Sequence, residues 1–189
     1  MRLSRRGCKN KNSQPRRDGG PVELWHSHVE NWWVNPLPHE VAIMSYVSLH
    51  YHIVFAVKYR KPFIRNEWRD RLHEYLGGTV SGLGGVSQIV GGTNDHVHLL
   101  CGLKSTHCLA DFMRELKKSS SAWVHKEIGF KEFEWQAGYG AFTVSPTARP
   151  GVRSYVANQV EHHRELTFQD EFRQLLERAG IEYDPKWLE

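Results

Sequence analysis

The chain has 189 residues, 40% apolar and 24% charged, a balance typical of a globular protein with one domain and a short appendage. It contains no run of about 18 apolar residues, and no apolar stretch follows the N-terminal arginines, so neither a membrane span nor a secretory signal is expected. Residues 1–43 carry seven Lys/Arg and four Asp/Glu, which leaves 18 basic and 17 acidic residues elsewhere. Bulk positive charge is therefore excluded as a means of binding nucleic acid, and only local clusters remain.

Cysteine usage indicates the redox compartment. The three cysteines, Cys8, Cys101 and Cys108, include no CxxC pair. We therefore expect reduced thiols in a cytoplasmic protein, without a disulfide framework or a zinc cluster.

Composition also divides the chain into segments. Residues 1–20 are basic and nearly free of apolar side chains, which predicts a disordered N-terminal extension over residues 1–43. A basic arm that grips DNA is the alternative interpretation of this segment. The compact domain is expected over residues 44–180, followed by a C-terminal tail over residues 181–189.

Strand-like and helix-like segments alternate along the rest of the chain. Strands are indicated by β-branched and aromatic residues, and helices by apolar residues that recur every three to four positions. A glycine-rich stretch is expected to weaken the first helix beyond residue 76. The predicted elements are a strand over 45–59, a helix over 67–76, a hairpin over 87–103 with its turn at 91–94, a helix over 108–128, a strand over 138–145, a helix over 151–165 and a helix over 169–179.

This order predicts an α+β fold of the ferredoxin-like, split βαβ type. Its antiparallel sheet would carry helices on one face, with an additional C-terminal helix that bears a tyrosine. Asn66 suits the N-cap of the helix over 67–76, Pro150 suits the first turn of the helix over 151–165, and Gly180 suits a helix end. Because many functions use this fold, it predicts none by itself.

The predicted hairpin contains two histidines, His96 and His98, on either side of Val97. Side chains alternate across a strand, so both imidazoles point to the same face, where they could share one cation. The same spacing also occurs on solvated strand faces. His50 and His52 repeat it in the first strand, and spacing does not separate the two pairs.

The helix over 151–165 contains Tyr155 and Gln159, which project from one face because they are four positions apart. Three valines at 152, 156 and 160 form a neighbouring apolar stripe that could seat the helix on the sheet. A tyrosine packed at the edge of that stripe, beside a solvated glutamine, is the alternative interpretation.

Together, the two segments could form a metal site beside a tyrosine nucleophile. A phenol ionises near pH 10, so Tyr155 would need a cation or a base to act as a nucleophile. His96, His98 and the Gln159 amide oxygen would leave metal positions for phosphate oxygens. The oxygen ligand suits Mg²⁺, and the mixed imidazole and oxygen set makes Mn²⁺ equally suitable.

Several segments in order resemble one known family. They are LHYHIVFAVKYRKPF, DHVHLL followed by a long helix, FEWQAGYGAFTVS, and VRSYVANQVEHHRE. The combination resembles the IS200/IS605-type transposases, also called Y1 or HUH transposases, which include the REP-associated tyrosine transposases. The likeness extends over about residues 45–172.

The resemblance implies that His96 and His98 are the HUH metal-binding pair, completed by Gln159, and that Tyr155 is the catalytic nucleophile. It implies metal-dependent cleavage and rejoining of single-stranded DNA through a 5′-phosphotyrosine, by a homodimer that recognises DNA hairpins at the ends of the mobile element. We expect such a protein in the cytoplasm, associated with the nucleoid when it acts. In such dimers the tyrosine helix of one subunit can serve the histidine pair of the other. The alternatives are a replication-initiator or relaxase-type HUH nuclease, which is usually larger, and a domesticated, non-catalytic nucleic-acid-binding protein.

Local basic clusters are candidates for DNA contacts. One surrounds Tyr59 near a strand end, where a stacked base and a phosphate backbone could both be bound. A second has basic side chains one turn apart on the helix over 108–128, and a solvated surface is the alternative for both. The candidates are Lys58, Arg60, Lys61, Arg114, Lys117 and Lys118.

Four further aromatic or imidazole side chains lie near these segments. Trp135 and Tyr139 precede the last predicted strand, and either could stack on a base or fill the core. His162 and His163 are expected at a solvated helix end, although either could assist proton transfer.

Overall fold

The computed structural model describes residues 46–187, so the extension predicted over residues 1–43 lies outside the described residues. Short 3-10 turns follow the first strand and close the described chain, and a π-helical turn follows the second helix. The strands are β1 (His50–Ala56), β2 (Val86–Gly92), β3 (His96–Gly102) and β4 (Gly140–Thr143). The helices are α1 (Asn66–Gly82), α2 (Leu109–Trp123), α3 (Arg149–Ala157), α4 (Gln159–His162) and α5 (Phe168–Arg178).

The four strands form one antiparallel sheet in the order β2-β3-β1-β4. β1 lies at the centre, where it pairs with both β3 and β4, and β2 forms the predicted hairpin with β3. This order, with a helix after β1 and another after β3, is the ferredoxin-like arrangement that the element order predicts. The predicted fold class is therefore confirmed.

One face of the sheet carries the main hydrophobic core. Ile53 and Phe55 of β1 and Val97 and Leu99 of β3 are at most 2% exposed, because strand alternation directs them all to this face. Burying each such side chain contributes about 1.5–3 kcal/mol. α1 and α2 cover this face with an apolar cluster that includes Leu72, Leu76, Phe112, Met113 and Leu116.

Helix α1 is longer than the sequence predicts. Instead of weakening at the glycines, it continues to Gly82. The reason is tertiary packing: Trp68, Leu72, Leu76 and Val80 recur every four residues and are all buried. Their burial outweighs the cost of about 1 kcal/mol for each helical glycine.

The predicted helix over 151–165 is divided in two at Asn158, whose φ of −101° and ψ of 20° depart from helical values. The Asn158 backbone N–H and side-chain amide both donate to the Ser154 carbonyl, at 3.2 and 3.0 Å. The backbone bond is the ordinary helical one, whereas the side-chain bond competes with continuation of the helix. Within the predicted valine stripe, Val156 is buried, whereas Val160 is 53% exposed.

Two sequence-based expectations can be compared with the described residues. Within residues 46–187, no helix is both long and apolar enough to cross a membrane. Cys101 is a buried free thiol, and burial raises its pKa to about 12, which makes it a poor nucleophile at neutral pH.

Close approach of α3 to β2 depends on Gly91. A Cβ atom built there would lie 2.1 Å from the Val156 carbonyl oxygen, a backbone atom that can move only with its helix. Gly78 of α1 offers a contrast, because a Cβ atom there would meet nothing within 4 Å. Gly91 therefore sets the distance between α3 and the sheet.

We expect Gly91→Ala to lower the free energy of unfolding by about 1–3 kcal/mol, because the added methyl group overpacks this contact. The matched change Gly78→Ala should raise it by about 1 kcal/mol, since alanine is the better helix former. Urea unfolding followed by circular dichroism measures both. Equal effects of the two substitutions would show that α3 does not pack as closely on β2 as described.

Candidate metal and tyrosine site

The face of the sheet opposite the core carries His96 and His98 of β3, side by side as strand alternation predicts. Both imidazoles are buried, at 1% and 0% exposed, and their ring centroids lie 5.1 Å apart. Among the described residues, neither Nε2 atom has a hydrogen-bond partner. Two buried ring nitrogens thus remain available on one face.

A polar network fixes the orientation of the His96 ring. Its Nδ1 lies 2.7 Å from Asp95 Oδ1 and 3.0 Å from Thr93 Oγ1. Arg60 holds the other Asp95 oxygen with donor distances of 2.6 and 3.1 Å. An ionised carboxylate only accepts hydrogen bonds, so the His96 proton is on Nδ1 and the lone pair is on Nε2.

His52 fixes the His98 ring in a similar way. His52 Nε2 lies 2.9 Å from His98 Nδ1, and the His52 side chain is buried on the same face of β1. His50 is different: it is half-buried and its Nε2 lies 3.3 Å from Arg149 Nη1. The structure therefore separates the two histidine pairs that spacing alone does not.

Tyr155 and Gln159 converge on this site despite the break between α3 and α4. The half-buried Tyr155 ring lies edge-on to the rings of His52 and His98, with both centroid distances at 5.8 Å. Its hydroxyl donates a hydrogen bond to Glu171 Oε1, and Gln159 Nε2 donates to the same oxygen at 3.0 Å. Gln159 is 1% exposed, and its Oε1 has no hydrogen-bond partner among the described residues.

Glu171 of α5 is a central site residue that the sequence reasoning missed. Its side chain is 2% exposed, and its Oε2 lies 2.9 Å from His163 Nε2, 3.3 Å from His98 Nε2 and 3.9 Å from His96 Nε2. The expectation of a solvated His163 is wrong, because only 11% of that side chain is exposed. His162 is 35% exposed, with its Nε2 3.7 Å from Glu171 Oε1.

Burial keeps the imidazoles of His52, His96 and His98 neutral. It lowers the pKa of His98 to about 3 and that of His52 to about 4, although the negative charge of Glu171 opposes both shifts. The pKa of His96 is also lowered by burial, against the opposing hydrogen bond of Asp95. Neutral imidazole is the form that binds a metal ion.

The pKa values of the Glu171 carboxyl and the Tyr155 phenol shift in opposite directions. Burial by itself would raise the pKa of Glu171, but the hydrogen bond from His163 and the close approach of His98 outweigh it and hold that pKa well below its usual range. Burial, together with the hydrogen bond to Glu171, raises the pKa of Tyr155. Glu171 is therefore ionised and Tyr155 protonated at neutral pH, so Tyr155 must lose its proton to act as a nucleophile.

Four side chains in this cluster could hold a metal ion. His96, His98, His163 and Glu171 each offer one ligand atom, and these atoms all lie within 4.8 Å of one another. Imidazole nitrogens together with carboxylate and amide oxygens suit divalent transition metals such as Mn²⁺.

The sequence model of the family described as "Transposase IS200 like" matches residues 45–159, more than half of the chain. The chain belongs to the IS200-like transposase family. It is 29% identical over 120 residues to the ISDra2 transposase TnpA of Deinococcus radiodurans, a match that covers 59% of this chain and 84% of that relative.

Two solved structures of transposases are also similar to this chain. One is a crystal structure of a Deinococcus radiodurans R1 protein assigned as a transposase, with a TM-score of 0.50 and 26% identity over 65% of this chain and 98% of that one. The other is a REP-associated tyrosine transposase bound to a REP hairpin, with a TM-score of 0.47 and 14% identity over 66% of this chain and 74% of that one.

Membership of the IS200-like family implies a DNA-processing enzyme, and this family is generally metal-dependent. The matched segment includes the histidine pair on β3 and ends at Gln159. His163 and Glu171 lie beyond it, although they contact the same side chains. The candidate site of this IS200-like chain therefore extends past the matched segment.

Most predicted DNA-binding side chains in this IS200-like transposase have local partners. Lys58 forms an ion pair with Glu134 on the surface, and Arg114 does so with Asp111. Arg60 forms an ion pair with Asp95, the residue that orients the His96 ring. At the exposed positions a DNA phosphate could replace the present partner. The predicted DNA contacts stay predictions.

The remaining basic candidates differ in exposure. Lys117 Nζ donates to the backbone carbonyls of Gln136 and Gly138 at 2.8 and 2.6 Å, and burial lowers its pKa to about 8. Lys61 and Lys118 are exposed. Lys117 therefore holds the loop before β4 in place through these hydrogen bonds. Its predicted contact with DNA is a separate role.

Three aromatic side chains near the sheet edge have separate environments. Trp135 is 9% exposed, packs on Phe55 and donates from Nε1 to Ser120 Oγ at 2.9 Å, so it fills the core. Tyr139 is 37% exposed and Tyr59 is 78% exposed. Tyr59 also has a left-handed φ of 57°, a conformation that is uncommon for a bulky residue.

Proposed function

We propose that this transposase cleaves and rejoins single-stranded DNA through a 5′-phosphotyrosine link at Tyr155, with a divalent metal ion held by His96, His98 and Gln159. The observation that carries the proposal is their convergence within one chain. The Tyr155 hydroxyl and the Gln159 amide bond one oxygen of a buried carboxylate, and His98 Nε2 lies 3.3 Å from the other.

The donor set fits a divalent cation. His96 Nε2, His98 Nε2 and Gln159 Oε1 are buried and have no hydrogen-bond partner within residues 46–187. An unsatisfied buried polar atom costs about 1–3 kcal/mol, a cost that a bound cation would offset. Such an ion, Mn²⁺ or Mg²⁺, would polarise the scissile phosphate and stabilise charge that develops in the transition state.

The chain's own residues supply the nucleophile and the carboxylate that orients it. The Tyr155 oxygen forms a bond to phosphorus, and the bond from phosphorus to the 3′-oxygen of the neighbouring nucleotide breaks. Glu171 accepts the hydrogen bond of the Tyr155 hydroxyl and so orients it, the phenol loses its proton to water as the new bond forms, and the departing oxygen takes up a proton from water as a 3′-hydroxyl. Rejoining reverses these steps, so no external energy source is needed.

Substrate recognition and assembly are part of the proposal. The exposed Tyr59 ring beside Lys58 and Lys61 could stack on an unpaired base next to a phosphate backbone, and DNA hairpins are the proposed targets. A homodimer acting at the cytoplasmic nucleoid is proposed as well. The contact between Tyr155 and His98 within one chain supports cleavage in cis.

The test uses the full chain, Mn²⁺ and labelled single-stranded hairpins taken from the flanks of its coding region. A covalent protein–DNA adduct on a denaturing gel, mapped by mass spectrometry to a phosphotyrosine at Tyr155, is the expected result. DNA binding without an adduct on any of these hairpins would instead identify a non-catalytic nucleic-acid-binding protein.

Asp95 orients the metal-binding ring of His96, so its charge should matter for affinity. We expect Asp95→Asn to weaken Mn²⁺ binding about 10–100-fold, the usual range for a partner of a metal-binding histidine. Isothermal titration calorimetry measures this affinity. Asp111→Asn, an exposed change on α2, serves as the control and should leave it unchanged.

A further inference from the structure

Glu171 is a buried carboxylate, so its negative charge must be compensated by nearby groups. Its side chain is 2% exposed and lies on α5, outside the segment that matches the family. An ionised carboxylate is costly to bury unless a cation or several donors compensate it.

The two oxygens of Glu171 have different surroundings. Oε1 accepts hydrogen bonds from the Tyr155 hydroxyl and from Gln159 Nε2. Oε2 is directed at imidazoles: His163 Nε2 is 2.9 Å away, His98 Nε2 3.3 Å and His96 Nε2 3.9 Å. One oxygen therefore serves the nucleophile, and the other faces the histidine pair.

The contact with His96 places two acceptors opposite each other. Its proton is held on Nδ1 by Asp95, so the Nε2 that faces Glu171 presents a lone pair. His96 Nε2 and His98 Nε2 both lack a hydrogen-bond partner among the described residues. The His96 lone pair and the carboxylate oxygen that it faces repel each other unless a cation lies between them.

An ion pair with His163 explains only part of this arrangement. It compensates the charge of Glu171, since His163 donates to Leu166 O from Nδ1 and contacts Glu171 from Nε2. It leaves the two partnerless Nε2 atoms unexplained. A shared cation accounts for both observations, because it would take the carboxylate oxygen and both Nε2 atoms as ligands.

We propose that Glu171 Oε2 is a ligand of the same divalent cation as His96 and His98, supplied by α5. The inference rests on the proposed function, which assigns a cation to these histidines. All the ligand atoms concerned lie within 4.8 Å of one another. Two imidazoles with a carboxylate favour Mn²⁺ over Mg²⁺, because Mg²⁺ prefers an all-oxygen shell. The opposite carboxylate oxygen then holds the Tyr155 hydroxyl beside the ion.

The experiment titrates Mn²⁺ into the full chain without DNA, with free Mn²⁺ followed by electron paramagnetic resonance. Glu171→Gln keeps the side-chain shape and removes the charge, so we expect affinity to fall at least about 10-fold. Glu177→Gln on the exposed face of α5 is the matched control and should bind as the unaltered chain does. An unchanged or increased affinity in Glu171→Gln would overturn the proposal and leave Glu171 as an ion-pair partner of His163 only.

A second variant covers the case in which Glu171→Gln does not fold. Glu171→Asp keeps the negative charge but withdraws the oxygen by one methylene group, so a ligand role predicts weaker Mn²⁺ binding and a changed visible spectrum of bound Co²⁺. Unchanged affinity and an unchanged spectrum in Glu171→Asp would contradict the ligand role.

The histidine variants distinguish this inference from the proposed function. If His96→Ala with His98→Ala abolishes Mn²⁺ binding while Glu171→Gln retains it, only the role of Glu171 is wrong. If the double histidine variant binds Mn²⁺ as the unaltered chain does, the metal site itself is wrong, and the ligand role of Glu171 is wrong with it.

Discussion

Replacement of Tyr155 by phenylalanine should abolish the covalent protein–DNA adduct, with a loss of at least about 10³-fold, as is usual when a nucleophile is removed. Phenylalanine keeps the ring that lies edge-on to His52 and His98, so the fold and DNA binding should stay near those of the unaltered chain. What disappears is the oxygen that bonds to phosphorus. Gel analysis of the adduct and a filter-binding assay with the same hairpin measure the two properties separately.

Tyr139→Phe is the matched control for this prediction. Tyr139 is 37% exposed in the loop before β4, and the change removes a hydroxyl without touching the histidine pair. It should leave adduct formation unchanged. An adduct formed by Tyr155→Phe at the normal rate would mean that another side chain is the nucleophile.

Local periodicity was sufficient to predict which side chains lie together in half of this candidate site. Alternation along β3 puts His96 and His98 on one face, and a spacing of four puts Tyr155 and Gln159 together. Tyr155 and Gln159 stay together despite the break at Asn158, because both donate hydrogen bonds to the same oxygen of Glu171. Short-range geometry of this kind is independent of the rest of the fold.

Glu171 was missed because its role depends on contacts far apart in sequence. A signal was nevertheless present in α5, where Phe168, Phe172 and Leu175 mark the apolar stripe of the helix at spacings of four and three. Glu171 lies within that stripe, and an acidic residue on the inward face of an amphipathic helix indicates a buried partner. The sequence could not say which partner, since the contact with His98 joins α5 to a strand more than 70 residues earlier.

The basic clusters show the opposite limitation. Spacing grouped Lys58 with Arg60, but the structure assigns them to different partners, Glu134 and Asp95. The Asp95 contact makes Arg60 a support of the His96 ring, a role that charge patterning cannot reveal. Long-range ion pairs are specified by the sheet and its loops, which bring residues 35 and 76 positions apart into contact.

Replacement of His96 and His98 together by alanine should remove Mn²⁺ binding and the adduct with it. We expect affinity to fall by at least about 100-fold, more than the loss of a supporting partner causes, because both imidazole ligands are gone. Calorimetric titration with Mn²⁺ and the adduct gel measure the two effects. Retention of either property at the normal level would exclude the β3 pair as the metal site.

The two histidines of β1 provide a graded control for that experiment. His50 contacts Arg149 and not the β3 pair, so His50→Ala should bind Mn²⁺ normally. His52 is not a neutral control, because its Nε2 lies 2.9 Å from His98 Nδ1 and fixes that ring. His52→Ala should therefore weaken Mn²⁺ binding about 10-fold, between the other two variants. Equal losses in His50→Ala and His52→Ala would mean that β1 acts through general stability, since only His52 reaches the ligand ring.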